Sequence, residues 1–194
     1  MEVKLPRYWF FKNVLSKEKC QYIINDAKKN YAAAAVEAKY KKKDLKKVRS
    51  TSVTFLRKQY LFDLINTYLP IANKNGGWNY EYSIIEDVQL ARYKPGDHYT
   101  WHQDGENRPY GHLPGAPNFE GLTRKLTMGV TLSDPKDYKG GGFEFWFGSP
   151  YPVKEFKEQG SLIFFPSNYW HRITPLLRGT RYSLVAWVLG KPFK

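Results

Sequence analysis

The feature that most constrains this chain is a change of rhythm at Tyr80. From there on, the sequence breaks into short apolar runs separated by Gly, Pro and Asp turns. "YSIIEDVQLARY" reads as one long strand, "KPGD" as a turn and "YTWHQD" as strand again. "RKLTMGVTL" follows, then the turn region "SDPKDYKGGG" feeding "FEFWF", and finally "GSLIFFP", "WHRITPL" and "RYSLVAWVL". Alternation with period two is the signature of half-buried strands. So many short strands can bury their apolar faces only against one another or against helices. Residues 105–123, rich in Gly, Pro and Asn, read as a long loop of the kind that often carries function.

The first third reads differently. Residues 7–15, "RYWFFKNVL", suggest a short buried strand. Ser16 is a plausible N-cap for a helix running to about Tyr40. Cys20, Ile23, Ile24 and Ala27 fall on one face of it, which gives Cys20 a packing role. "STSVTFL" reads as a strand. "KQYLFDLINTYLPIANK" reads as a second helix, kinked or ended near Pro70. The expected class is therefore α+β, with helices packed on one face of a β-sandwich. No repeat and no linker divides the chain, so residues 1–194 are read as one domain, with helical support mainly at 16–75 and the β core mainly at 80–190.

Charge and cysteine content narrow the setting. The 194 residues carry 31 basic and 18 acidic side chains, a net +13. The stretch Lys39 to Arg49, "KYKKKDLKKVR", holds 7 − 1 = +6 of it. Such a run is usually a solvated segment; its functional reading is a handle for nucleic acid or an acidic partner. Only Tyr40 accompanies it as an aromatic, so direct nucleic-acid chemistry is not favoured. A single cysteine excludes an intramolecular disulfide and fits a reducing cytosol. The N-terminus shows no apolar signal-peptide core, and no run is long enough to span a bilayer. The expected location is the cytoplasm.

The chemistry-bearing residues are few. In "TWHQDG", strand alternation points His102 and Asp104 the same way. A neutral imidazole and a carboxylate on one face can begin a two-histidine, one-carboxylate metal site, or they can be a polar turn. Of the other histidines, His98 and His112 sit in or near turns. His171 ends the very apolar run "SLIFFPSNYW", as a core histidine or as a third ligand. Ten residues on, Arg181 lies on a strand where a buried guanidinium needs an anion: an internal carboxylate, or one brought by a ligand. Arg178 falls in the turn "LLRGT" and reads as solvated. Trp187 shares a strand face with Arg181. Trp101 could wall a pocket near the metal. Trp170 should point away from His171 and into the core.

Taken together, "VQLARYKPGDHYTWHQD", "KGGGFEFW" and "FFPSNYWHRITPLLRGTRYSLVAW" resemble the 2-oxoglutarate- and Fe(II)-dependent oxygenases of the prolyl 4-hydroxylase-like group, including bacterial and phage members. "FFKNVLSKEKCQYII" resembles their N-terminal strand and helix. The resemblance implies a double-stranded β-helix (a jelly roll, cupin-like) with the N-terminal helices on one face of its major sheet. It implies that His102, Asp104 and His171 hold Fe(II) and that Arg181 binds the distal carboxylate of 2-oxoglutarate. It implies that O2 is consumed, that succinate and CO2 are released, and that a substrate C–H bond is hydroxylated, with ascorbate a further candidate cofactor. Tyr93 matches a position where relatives place a hydroxyl near the co-substrate, though it also reads as core. Trp187 stands where AlkB-type nucleic-acid demethylases carry a second Arg, which argues against that chemistry. Many collagen-type prolyl hydroxylases use Lys at the position of Arg181. The expected substrate is a prolyl residue in a protein or peptide. The alternatives are a free amino acid or other small molecule, and a nucleic-acid-associated oxygenase.

Overall fold

The computed structural model describes residues 6–27, 32–33, 47–106 and 108–193. Its elements are β1 (Trp9–Phe11), α1 (Lys17–Ala27), β2 (Ala32–Ala33), β3 (Arg49–Ser50), β4 (Ser52–Leu56) and α2 (Gln59–Asn75). Then come β5 (Ile84–Ile85), β6 (Val88–Tyr93), β7 (His98–His102), β8 (Thr123–Thr131), β9 (Tyr138–Gly140), β10 (Phe143–Trp146) and β11 (Pro150–Pro152). The chain ends with β12 (Leu162–Pro166), β13 (His171–Ile173), β14 (Leu176–Gly179) and β15 (Arg181–Gly190). The strands make a double-stranded β-helix. The major sheet runs β1-β12-β8-β15-β6-β4-β2, with β5 also on β15; the minor sheet runs β11-β10-β13-β7-β3. A β14-β9 ribbon stands beside them.

Period-two alternation divides the major sheet into two jobs. Leu184, Ala186 and Val188 of β15 join Leu126, Met128 and Val130 of β8 and Leu162 and Phe164 of β12 on the outer face. That face packs on Cys20, Ile23 and Ile24 of α1 and on Leu61, Ile65, Leu69 and Ala72 of α2. The intervening residues Arg181, Ser183, Val185, Trp187 and Thr127 face inward and line a cavity between the sheets. Helices therefore supply the hydrophobic support on one side, and the other side is free for chemistry.

Ser16 caps α1 as expected, its Oγ accepting the Lys19 N–H at 3.2 Å. The helix does not continue through Tyr40: Ala32 and Ala33 are paired with Val53 and Ser52 of β4, which gives that strand a hydrogen-bonded neighbour on its outer edge. Residues 28–31 and 34–40 of that expected helix lie outside the described residues, as does the basic run up to residue 46. Nor does Pro70 end or divide α2, which runs on to Asn75 because Leu69 and Ala72, on either side of it, are buried under the sheet. Pro70 itself is exposed. The expected long strand "YSIIEDVQLARY" is split at Glu86–Asp87 into β5 and β6, both paired to β15. "LLRG" is not a turn but strand β14, paired with β9, although Arg178 is exposed as anticipated. The "KPGD" turn holds, with Gly96 at φ +90°, where a side chain would be strained.

Candidate metal and co-substrate site

His171 and His102 are direct cross-strand partners between β13 and β7. Asp104 lies just past the end of β7. Its N–H and that of Gly105 both donate to the Ser167 carbonyl at 2.9 Å, which turns the chain back over the cavity. The three side chains converge: His102 Nε2 is 3.6 Å from Asp104 Oδ1, and His171 Nε2 is 3.4 Å from Oδ2. All three candidate ligand atoms lie within 4.8 Å of one another.

The tautomers fit a metal. A backbone carbonyl can only accept, so the contacts of His102 Nδ1 to Thr100 O (2.8 Å) and of His171 Nδ1 to Tyr169 O (2.9 Å) place the ring proton on Nδ1 in both. Each Nε2 is then left for a metal, to which it would offer its lone pair, the arrangement found in metal-ligating histidines. Burial, reinforced by the neighbouring His171, pushes the His102 imidazole down to about 4, so it is neutral at physiological pH. Burial alone would raise the Asp104 carboxyl, but the adjacent imidazoles outweigh it and hold it well below the usual carboxylate range. Two imidazoles and one carboxylate, open on one side to a cavity of about 340 Å³, suit a divalent first-row metal with free positions.

Arg181 lies deeper, 2% exposed, in register with Tyr93 across β15 and β6. Its Nη1 donates to Ser183 Oγ at 3.3 Å and its guanidinium sits 5.6 Å from the Tyr93 ring centroid. Among the described residues it makes no ion pair, so the internal carboxylate considered from sequence is absent there. Desolvation pushes the buried Tyr93 hydroxyl up, so it stays a neutral donor. Trp187 walls the same cavity, and its buried indole N–H has no partner among the described residues. Trp101 also lines the cavity, edge-to-face on Trp146. Trp170 contradicts expectation: it is 48% exposed and lies at the cavity rim. It sits in the turn after β12, where strand alternation no longer applies. His98 and His112 stay outside the cluster, bonded to the Gly96 and Lys47 carbonyls and to Glu120 respectively.

Sequence reasoning missed the residues that hold Asp104. Thr127 Oγ1 donates to Asp104 Oδ2 at 2.9 Å and contacts Ser167 Oγ at 3.0 Å. Arg124 donates to the Asp104 carbonyl at 3.1 Å, makes two 2.7 Å bonds to Glu86, and lies 3.9 Å over the Trp187 ring. Burial opposes the Arg124 charge, but the Glu86 carboxylate more than restores it and raises its pKa further. Tyr99 was missed too; it stacks on His102 with ring centroids 3.4 Å apart.

A jelly roll carrying two histidines and a carboxylate over an inward guanidinium defines a class of mononuclear metal enzyme rather than a single reaction. The comparisons supply the family. Residues 88–189 match the 2OG-Fe(II) oxygenase superfamily, and the chain belongs to it. This is the class of 2-oxoglutarate-dependent dioxygenases, which use Fe(II), 2-oxoglutarate and O2. A PKHD-type hydroxylase of Janthinobacterium sp. (strain Marseille) is 35% identical over 98 residues, 50% of this chain and 40% of the relative. One from Synechococcus sp. (strain CC9605) is 30% identical over 105 residues, 54% of this chain and 42% of the relative. The match thus spans less than half the length of these relatives. The fold is that of a viral collagen prolyl hydroxylase from Paramecium bursaria Chlorella virus-1, solved with 2OG (TM-score 0.64, 24% identity, covering 95% of this chain and 97% of that one). It is also that of a Pseudomonas putida prolyl-4-hydroxylase (TM-score 0.67, 20% identity, 94% and 92% covered). No helix among the described residues is long and apolar enough to cross a membrane.

Proposed function

We propose that residues 1–194 act as one dioxygenase domain that hydroxylates a prolyl residue in a protein or peptide. His102, Asp104 and His171 hold Fe(II), Arg181 takes the distal carboxylate of 2-oxoglutarate with the Tyr93 hydroxyl beside it, and Trp187 walls the substrate side. The bound metal and co-substrate supply the oxidation: 2-oxoglutarate, O2 and R–H become succinate, CO2 and R–OH. The protein's own work is to orient. Thr127 and the imidazole N–H bonds fix the ligand geometry, and Arg181 aligns an anion in a water-poor pocket. The observation that carries the reading is the buried Arg181, without a carboxylate among the described residues, at the base of the cavity that the His–Asp–His cluster overlooks. A guanidinium in that setting requires an anion from outside the chain. The prolyl assignment leans on the names of the hydroxylases the chain resembles. The single buried cysteine fits action in a reducing cytosol.

The test is anaerobic loading with Fe(II) and 2-oxoglutarate, with ascorbate to keep the metal reduced, followed by O2 and measurement of succinate. The parent protein should produce succinate, and His102→Ala, Asp104→Ala and Arg181→Ala should lose it. A panel of proline-containing peptides should then gain one oxygen by mass. Succinate without any such gain would remove the prolyl assignment and leave the oxygenase; no Fe(II) binding would remove both.

A further inference from the structure

One cation in the cavity is not used by that reading. Arg49 closes the basic run and sits on β3, the outermost strand of the minor sheet, paired with Tyr99 of β7. Its side chain crosses toward the major sheet. Nη2 donates to Gln89 Oε1 at 3.3 Å, and the guanidinium carbon lies 4.5 Å over the Tyr99 ring. Its Nε is buried and has no hydrogen-bond partner, and Arg49 makes no ion pair among the described residues. A neutral amide and an aromatic face are weak company for a guanidinium whose Nε–H is shut off from water. Arg124, which also lines the cavity, is by contrast paired with Glu86. Phe55, in register with Gln89, lines the same end of the cavity and is 57% exposed.

The co-substrate cannot account for Arg49. 2-Oxoglutarate has two carboxylates; in the proposed function one goes to Arg181 and the other to the metal. A third anion must come from elsewhere. We propose that Arg49, with Gln89 beside it and Phe55 at the rim, is a specificity site that binds a carboxylate of the prime substrate. This rests on the assignment of Arg181 to the co-substrate. The carboxylate could be the free C-terminus next to the hydroxylated residue or an acidic side chain next to it. In either case Arg49 offers an Nε–H and an Nη–H on one edge, the fork that matches a carboxylate.

The experiment reads the Arg49 Nε–H signal by nitrogen-15 NMR in protein loaded with Zn(II), a diamagnetic stand-in, and saturating 2-oxoglutarate. The signal is assigned by its loss in Arg49→Lys. The probes are N-acetylproline, N-acetyl-Pro-Glu-amide, and the uncharged N-acetylprolinamide and N-acetyl-Pro-Gln-amide. At least one acid should shift the signal saturably and bind at least tenfold tighter than its amide counterpart. Which acid does so identifies the source of the carboxylate. The tenfold preference should vanish in Arg49→Gln, while affinity for 2-oxoglutarate stays within twofold of the parent; Arg181→Gln should lose co-substrate binding instead. Acids that bind no better than amides would overturn the proposal, and so would Arg49→Gln weakening 2-oxoglutarate itself. Replacing proline by alanine in the probes tests the prolyl reading separately: equal binding sinks that reading and leaves Arg49 in place.

Discussion

Arg124 and Thr127 grip the same residue from the same face of β8, although three positions separate them. Arg124 holds the Asp104 main-chain carbonyl, and Thr127 holds its carboxylate. An odd spacing on a regular strand would put them on opposite faces. The register explains the exception: Val188 pairs with Leu126, but Leu189 pairs with Arg124, so β8 carries one extra residue there. This bulge re-aims Arg124 into the cavity. The same device operates in the minor sheet, where His171 to Ile173 on β13 opposes His102 to Tyr99 on β7. It lets Tyr99 and His102, also three apart, stack.

Thr127→Val should weaken metal binding without unfolding the protein. Valine keeps the shape and removes the hydroxyl that orients Asp104 Oδ2. Loss of such an outer hydrogen bond typically costs about 10–100-fold in metal affinity. Titration with Co(II) should show that drop, with the thermal midpoint of the metal-free protein little changed. Unaltered affinity would mean that the Thr127 hydroxyl is not what orients Asp104.

Glu86→Gln should be more damaging to stability than its position between two strands suggests. It strips the half-buried Arg124 of its carboxylate while leaving the charge in place. Breaking a fully buried pair in this way costs about 3–5 kcal/mol, and this half-buried one should cost less than that but more than the roughly 0–1 kcal/mol of an exposed pair. The double variant Glu86→Gln/Arg124→Met should recover part of it, because no orphaned cation remains. Urea unfolding of the three proteins measures both effects; a double variant no better than the single would contradict them.

Alternation put His102 with Asp104 and Arg181 with Trp187, and the family resemblance joined them to His171 as one site. Arg181 and Trp187, six apart on a run with clear period two, share the cavity face, and His102, Asp104 and His171 do meet. The α+β layering also followed from the apolar face Cys20, Ile23, Ile24 and Ala27 and the strand rhythm after Tyr80. What stayed hidden depends on register. A bulge is a relation between two strands, and neither sequence announces it; Arg124 and Tyr99 became visible only with their partners. Glu86 sits where a continuous strand was expected, and the break there is what frees it to reach Arg124. Trp170 was misjudged because it lies in the turn between β12 and β13, outside either strand. Arg49 was absorbed into a charge run that reads as solvated.

Acid should destabilise the metal-free protein. The His102 pKa is depressed in the fold to about 4 from an ordinary 6.5. The unfolded chain therefore takes up a proton there that the fold resists, between those two values. The stabilising contribution is present above pH 6.5 and is lost as pH falls toward 4; the depressed Asp104 works in the same direction at lower pH. With chelator present, the thermal midpoint should fall by roughly 5 °C between pH 7 and pH 5 from this source. His102→Gln should flatten that slope. A parent protein whose midpoint ignores pH in this window would show that the imidazole is not buried neutral.

Gly105→Ala should disturb the metal site by backbone displacement alone. Gly105 follows Asp104 directly, and both N–H groups are tied to the Ser167 carbonyl. A Cβ on Gly105 would stand 2.9 Å from the Arg124 carbonyl oxygen and 3.1 Å from the Cβ atoms of Arg124 and Ser167. Those neighbours are a main-chain group and the roots of two side chains, so none can swing aside. The strain must be relieved by moving the 104–105 segment away from β8, which pulls Asp104 from Thr127 and from the two imidazoles. Overpacking of this kind costs about 1–3 kcal/mol, and metal affinity should fall at least as far as in Thr127→Val. Gly111→Ala, in the same long loop but with open space around it, is the control and should change neither. If Gly105→Ala binds Co(II) as the parent does, the tight approach of this glycine to β8 is not what seats Asp104.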